Sequence, residues 1–292
     1  MVLATSTNIY CEQHGIHDVP IERCIHICAD AGYKALDFGF VEFIRQSRSI
    51  LSPGWKDEIL YYRQLADSLN ISFVQAHAPL YDFCNPSDDA ERLELLMNRS
   101  IEGAALLGAP WIVAHPSTHA ESGIFYSDTA AMNVRFFHNL ADYARKFSVG
   151  IAIENMWGKT ADGVERYAID AQELVDLVDA VDSPNVSACW DTGHASVEGI
   201  AQGEAIRLLG NRLKALHISD KSKSQQIHIL PYMGSIDWPE ILQALADIEY
   251  SHPFTLEIQH YIPRVPVALV PSAIKLSVET GKYMIGQIAS CG

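Results

Sequence analysis

An α/β fold closed into a single (β/α)8 TIM barrel is what this sequence predicts, and three observations carry that reading. Short apolar runs and amphipathic stretches alternate eight times, the pattern of parallel strands joined by helical crossovers. At 292 residues, eight such units favour a closed barrel over an open doubly wound sheet. No Gly/Ser/Pro-rich linker or shift of composition divides residues 1–292, so they read as one domain. Hydrophobic residues make up 48% of the chain, enough for a large core.

Taken in order, residues 5–10 open the chain as a strand. Residues 21–31 space their apolar side chains for a helix, with Gly32 as its stop. A short strand at 35–38 and a helix at 57–70 follow, the helix ending near Asn70. The run 71–76 is a strand leading into His77, and Pro79 comes next. The amphipathic stretch 91–107 is a helix closed by Gly108. Residues 111–114 are a strand leading into His115, again followed by a proline. A helix at 129–146 precedes the strand 151–153, which leads into Glu154. A helix at 171–180 precedes the buried run 186–190, which ends at Asp191. A short helix at 204–209 precedes the strand 213–216, leading into His217. Asp237 is placed to cap a helix at 238–248, and the strand 254–256 leads into Glu257. A last helix over 267–288 closes the barrel.

The totals bound the function. A formal net charge of −15 argues against a nucleic-acid partner, which usually leaves a basic footprint. Six cysteines (Cys11, Cys24, Cys28, Cys84, Cys189 and Cys291) form no CxxC pair. Cys24 and Cys28 lie one helical turn apart on an apolar segment and read as core packing. There is no signal-peptide pattern and no apolar run long enough to span a bilayer, so a reduced cytoplasmic setting without a membrane partner is expected. Gly-rich nucleotide-binding fingerprints and a G-x-S-x-G elbow are missing as well.

Six consecutive strands end in a side chain competent to bind metal: His77, His115, Glu154, Asp191, His217 and Glu257. The gaps are 38, 39, 37, 26 and 40 residues, each about one βα unit. In a parallel barrel all strand C-termini open on one face, so these residues converge. Charged groups at six successive strand ends are costly without a metal or ligand to pair them. Within Trp190-Asp191-Thr192-Gly193-His194, an acid ends a strand and a histidine follows three residues later. Gly193 lets the chain turn sharply between them, and such a pair suits a divalent metal or a metal with substrate beside it. His194 and His228 fall in the loops after two of these strands. Asp37 also ends a strand and is left as structural or substrate-contacting.

On these residues the chain resembles the xylose-isomerase-like superfamily of sugar-phosphate isomerases and epimerases, which also holds the endonuclease IV (AP endonuclease family 2) nucleases. The matching motifs are Ala76-His77-Ala78-Pro79, Ala114-His115-Pro116, Ile153-Glu154-Asn155 and Trp190-Asp191-Thr192-Gly193-His194. They continue with Leu216-His217-Ile218-Ser219-Asp220, then His228 with Gly234-Ser235-Ile236-Asp237-Trp238, and Leu256-Glu257. The resemblance implies that Glu154, Asp191, His217 and Glu257 hold one divalent ion, Mn²⁺ or Zn²⁺ first, with Co²⁺ or Mg²⁺ as further options. It implies that Glu154 and Glu257 act as acid and base, and that His194 touches substrate. In the endonuclease branch, residues matching His77 and His115 hold a second zinc, while His194 and an Asp-x-His pair hold a third. Here that pair reads Gln226-Ile227-His228, an amide where the branch has a carboxylate. Tyr232 occupies the first glycine position of the family's Gly-x-Gly before Ile236-Asp237-Trp238.

The expected function is therefore a metal-dependent sugar, polyol or sugar-phosphate isomerase or epimerase, working by proton transfer through a stabilised enediolate. An endonuclease IV-like multi-zinc phosphodiesterase and a dehydratase are the alternatives, and a barrel that binds metal without turnover is the non-enzymatic one. The expected partner is a small carbohydrate-like molecule, with homo-oligomerisation left open. His77, His115, His194 and His228 are expected around the substrate, with His194 donating a hydrogen bond to the developing oxyanion. Trp157, Phe83 and Tyr261 follow functional strand ends and read either as walls for a sugar or as simple packing, and Lys221 and Lys223 either as holders of a phosphate or as a solvated charged loop.

Overall fold

A strand covered by helices on one side and by barrel filling on the other needs no polar alternation. The short apolar runs of this chain behave that way. The computed structural model of the protein describes residues 1–10, 12–13, 16–17 and 19–291. Its main sheet has eight strands: β1 (Leu3–Ser6), β2 (Ala35–Gly39), β3 (Ser72–His77), β4 (Trp111–Ala114), β5 (Gly150–Glu154), β6 (Val186–Asp191), β7 (Leu213–His217) and β8 (Phe254–Leu256). They pair in the order β7-β6-β5-β4-β3-β2-β1-β8, every pair parallel. The two end strands meet through a parallel bridge between Ile218 and Leu256. There Ile218 N–H donates to the Thr255 carbonyl at 2.8 Å, and Glu257 N–H to the Ile218 carbonyl at 3.0 Å. The sheet thus closes on itself as the expected barrel.

The helices are α1 (Ile21–Ala31), α2 (Phe40–Gln46), α3 (Trp55–Ser68), α4 (Ala90–Leu107), α5 (Thr129–Arg145), α6 (Ala171–Val181), α7 (Thr192–Glu198), α8 (Gln202–Leu209), α9 (Trp238–Asp247) and α10 (Val270–Cys291). In α1, Ile21, Cys24, Ile25 and Cys28 form the buried face, so this cysteine pair is core packing. Gly32, at φ +105°, ends the helix by donating to the Cys28 and Ala29 carbonyls. Cys11 lies outside the described residues. None of the described helices is long and apolar enough to cross a membrane.

Several elements differ from expectation for identifiable reasons. The first strand lies two residues earlier, because Leu3–Thr5 pair with Phe254–Leu256. After Ser6 the chain turns, with Ile9 N–H donating to the Ser6 carbonyl at 3.1 Å. Ile9 and Tyr10 reach the core from that turn, so their burial imitates a strand. The short helices α2 and α7 were not expected. The last helix starts at Val270, after a 3-10 turn over Val267–Leu269. Asp237 makes no side-chain cap for α9.

Side chains two residues apart on a strand share a face. Val113, Ala152, Cys189 and Ala215 form a small cluster of their own, with Trp111 packed against it. Gln75 and Thr255 meet at 3.5 Å although their strands are not neighbours, so they too point into the barrel. Two residues further along these six strands come His115, Glu154, Asp191, His217, His77 and Glu257. The candidate site is thus the next inward layer, carried on a floor of mostly small side chains.

That floor depends on a missing Cβ. A Cβ at Gly150, two residues before Ala152, would overlap the Trp111 ring. Gly150→Ala is expected to cost about 1–3 kcal/mol in urea unfolding through overpacking. The cost should largely vanish in a Trp111→Ala background. An equal cost in both backgrounds would place the strain elsewhere.

Candidate functional site

The site is assembled where β5, β6, β7 and β8 end, and Trp190-Asp191-Thr192-Gly193-His194 does most of the joining. Trp190 is fully buried and its Nε1–H donates to Gln202 at 3.3 Å. Asp191 is the N-cap of α7: its Oδ1 accepts the His194 N–H at 2.7 Å. Its Oδ2 is buried and has no hydrogen-bond partner. Thr192 ties β6 to β7, its hydroxyl donating to the Ser219 carbonyl at 2.7 Å and accepting the Ser219 N–H at 3.0 Å. Gly193 lies within helix α7 rather than at a sharp turn; it is needed because a Cβ there would run into the Ser219 hydroxyl. His194 accordingly sits in the first turn of α7, not in a loop. Asn155 binds the same segment to β5, accepting the Asp191 N–H at 2.7 Å and donating to its carbonyl at 3.2 Å.

Glu154 stands at the centre, fully buried. Its Oε1 lies 2.5 Å from His217 Nδ1, and its Oε2 lies 2.7 Å from His115 Nε2 and 3.4 Å from His77 Nε2. Burial works against its charge, but His217 and hydrogen bonds from the three imidazoles prevail and hold it well below the usual carboxylate range. Burial also opposes charge on His77, yet Glu154 raises it to about 9. His217 is likewise raised well above its ordinary value, with burial outweighed by Glu154 and Glu257. Burial lowers His115 in spite of Glu154. The far nitrogen of His217 lies 3.1 Å from Asp37 Oδ2, which also accepts from Gln75 Nε2 at 2.9 Å.

The other half of the site behaves differently. Glu257 Oε2 lies 3.5 Å from His217 Nδ1 and 3.4 Å from His228 Nδ1. Burial pushes Glu257 well above the carboxylate range, and raises Asp191 as well. Burial drives His194 and His228 down to about 3, so both are neutral at ordinary pH. His194 Nδ1–H donates to the Asn155 carbonyl at 2.9 Å, which leaves Nε2 as a lone pair. Its expected role as a donor to an oxyanion therefore gives way to that of an acceptor or ligand. Trp157 stacks on its ring at 3.8 Å between centroids.

One ligand atom each from Glu154, Asp191, His217 and Glu257 lies within 4.8 Å of the others, all four residues buried. Three carboxylates and an imidazole suit a divalent cation. The orphaned Asp191 Oδ2 and the raised carboxyls of Asp191 and Glu257 are what such a charge would relieve. The residues present fit the ion. His77, His115 and Glu154 converge in the same way, as do Asp191, His194 and His228. Gln226, where a third-site acid would stand, is exposed.

Above β7 a second device holds the wall. Asp220, fully buried, accepts backbone N–H groups from Lys221, Tyr232, Gly234, Ser235 and Ile236 at 2.7–3.2 Å, and Trp238 Nε1–H at 3.0 Å. It organises the approach to α9 that was expected of Asp237. Asp220 also bridges to Ile229, so residues 221–228 leave and return at one point and His228 is set over the site. His228 has φ +60° and Tyr232 φ +69°; the left-handed backbone explains why the family favours glycine at the Tyr232 position.

These side chains face a cavity of ≈ 160 Å³ lined by His77, His115, Glu154, Trp157, His194, His228 and Glu257. Sequence reasoning missed six further lining residues, Asn8, Gly39, Val41, Glu42, Leu80 and Gln259. Asn8 Oδ1 and Gln259 Oε1 are buried and lack partners. None of these six closes a predicted strand with a charged or imidazole side chain, so no spacing pointed to them. Phe83 stacks on Phe136 at 3.7 Å and Tyr261 is buried among core residues, so both pack rather than wall the cavity. Lys221 and Lys223 do not line it either.

Residues 25–276 match the family model described as xylose isomerase-like TIM barrel. The chain belongs to that family. Among its relatives, an uncharacterized protein of Methanocaldococcus jannaschii, MJ1311, is 27% identical over 228 residues, covering 76% of this chain and 75% of that one. A D-psicose 3-epimerase of Enterocloster bolteae is 31% identical over 216 residues, covering 69% of this chain and 66% of that one. A solved structure of a D-psicose 3-epimerase in the presence of D-fructose superposes with a TM-score of 0.77 at 18% identity, over 98% of this chain and 100% of the other. That last likeness concerns the barrel fold of the family.

Two outcomes follow from the geometry. Asp220→Asn is expected to lower stability by roughly 2–4 kcal/mol and to speed amide hydrogen exchange at residues 232–236. Unchanged protection there would show that the loop is held by other contacts. For the metal-free protein, a His77 pKa raised to about 9 means that its stabilising contribution is complete below pH 6.5 and is lost as the pH rises through 9. Chelator-treated protein should melt progressively lower from pH 7 to about 9.5, with a shallower slope in His77→Asn. An identical slope in that variant would exclude His77 as a source.

Proposed function

We propose that this protein is a divalent-metal-dependent isomerase or epimerase acting on a sugar or sugar derivative by moving a carbon-bound proton next to a carbonyl. The observation that carries the reading is the convergence of Glu154, Asp191, His217 and Glu257, with the two glutamates approaching His217 Nδ1 from non-adjacent strands. The likeness to D-psicose 3-epimerase supports the substrate class. Mn²⁺ or Zn²⁺ is the proposed ion, and the chemistry it supplies when bound is polarisation of the substrate carbonyl and the neighbouring hydroxyl.

The chain's own residues then divide the remaining tasks. Glu154 and Glu257 take and return the proton from opposite faces of the reacting carbon. Asp37 and Gln75 fix the His217 ring through its far nitrogen, as outer partners of a ligating histidine do. His194 accepts a substrate hydroxyl on Nε2, its orientation set by Asn155 and Trp157. Asn8 and Gln259 offer their unpartnered carbonyl oxygens to further hydroxyls. A second reading, an endonuclease IV-like phosphodiesterase, draws on the convergence of His77, His115 and Glu154.

Incubation with Mn²⁺ and a panel of ketoses, ketose phosphates and cyclitol ketones in D2O is expected to label one compound beside its carbonyl. Labelling should require metal and fall ~10²–10⁴-fold in folded Glu154→Gln or Glu257→Gln. Uptake that survives both substitutions would place the base elsewhere. Elemental analysis is expected to give about one tightly held ion per chain; three zinc ions with cleavage of an abasic duplex would favour the phosphodiesterase.

A further inference from the structure

The space at the barrel mouth does not end at Trp157. A chamber of ≈ 390 Å³ adjoins the catalytic cavity and shares Leu80, His115 and Trp157 with it. The catalytic cavity alone measures ≈ 160 Å³, below the roughly 300–1,000 Å³ usual for small-molecule sites. A substrate larger than its reacting carbons has the second chamber beside the first to extend into.

One acidic and one basic side chain line that chamber, Asp82 and Arg166. Asp82 is already engaged: the Asn85 amide donates to both its oxygens at 3.1 Å, and the Ser117 hydroxyl donates to Oδ1. Arg166 is not. Its Nε–H reaches the Lys159 carbonyl at 3.3 Å, and among the described residues its guanidinium has no ion pair. Arg145, Arg207 and Arg212, by contrast, each pair with an aspartate.

Arg166 is also held in register with the reacting end. It closes a hairpin that starts immediately after Trp157, with Lys159 bridging to Glu165 and Arg166 N–H donating to the Gly158 carbonyl at 3.2 Å. Tyr167 N–H, next in sequence, donates to Thr118 Oγ1 at 2.8 Å and ties the hairpin to the loop after β4. A guanidinium with free terminal N–H groups, on a fixed hairpin over a water-accessible chamber, suits a planar or tetrahedral oxyanion.

We propose that this chamber receives the oxyanion end of the substrate, a phosphate or carboxylate at the far end of the carbon chain whose carbonyl end reacts, with Arg166 as the recognising cation. The proposal rests on the isomerase reading and narrows its substrate class to anionic sugars.

The test uses the full chain loaded with Mn²⁺ and three ligands matched except at C6: D-fructose, D-fructose 6-phosphate and D-fructuronate. Titration calorimetry reads binding, and deuterium uptake from D2O reads proton exchange. At least one anion is expected to bind about 10–100-fold more tightly than D-fructose. The ratio of anion to neutral affinity should fall to about one in Arg166→Ala and recover in part in Arg166→Lys. Which anion gains identifies the group. Equal or tighter binding of D-fructose overturns the proposal, as does an anion advantage that survives Arg166→Ala, or failure of all three to bind. Deuterium uptake into D-fructose with no anion advantage would sink the chamber and leave the isomerase reading standing. Arg166-dependent anion binding with no uptake into any compound would do the reverse.

Discussion

A fully buried carboxylate, Glu154, is the constraint to which the rest of this barrel mouth answers. An isolated charge there is prohibitive, and only a dense set of donors makes it tolerable. The chain supplies His217, His115 and His77 within 2.5–3.4 Å. Each comes from a different strand, so closure of the barrel and pairing of the carboxylate depend on one another. The ties between neighbouring strand ends serve the same purpose. Asn155 joins β5 to β6, Thr192 joins β6 to β7, and Asp37 with Gln75 steadies the far side of His217.

The imidazoles fall into two groups with different tasks. His77 and His217 gain protons beside Glu154, while His194 and His228 remain neutral on the other side. In the absence of metal, protons on the first group neutralise the carboxylates. A divalent ion bound there as proposed would exchange its charge for those protons, and its affinity would depend on pH through that exchange. His194 keeps a lone pair on Nε2, and both neutral rings border the cavity.

Much of this was legible in the sequence. The alternation of runs indicated the barrel, and βα-length spacing brought His77, His115, Glu154, Asp191, His217 and Glu257 to one face. What was hidden depended on direction rather than order. Asp37 looked like any strand-end acid until the register shift between Leu36 and Asp37 set it against Gln75. The helical state of His194 was concealed because Asp191 serves both as a cap and as a member of the buried acid group. Asp237 drew attention as a cap by proximity, whereas the carboxylate that orders that segment lies 17 residues earlier, at Asp220. Asn8 and Gln259 carry no periodic signal at all; only the closed sheet shows that they border one cavity.

The excursion between Asp220 and Ile229 has a consequence for how such a barrel changes over evolutionary time. Its two ends are bridged, and an internal turn from Ser222 to Gln226 closes the tip. Residues 223–226 are exposed, while His228 is buried just inside the return. The tip can lengthen or shorten with little entropic cost, and the anchored base isolates His228 from the change. Insertions there offer a lineage new contacts above the mouth while the reacting layer beneath keeps its geometry.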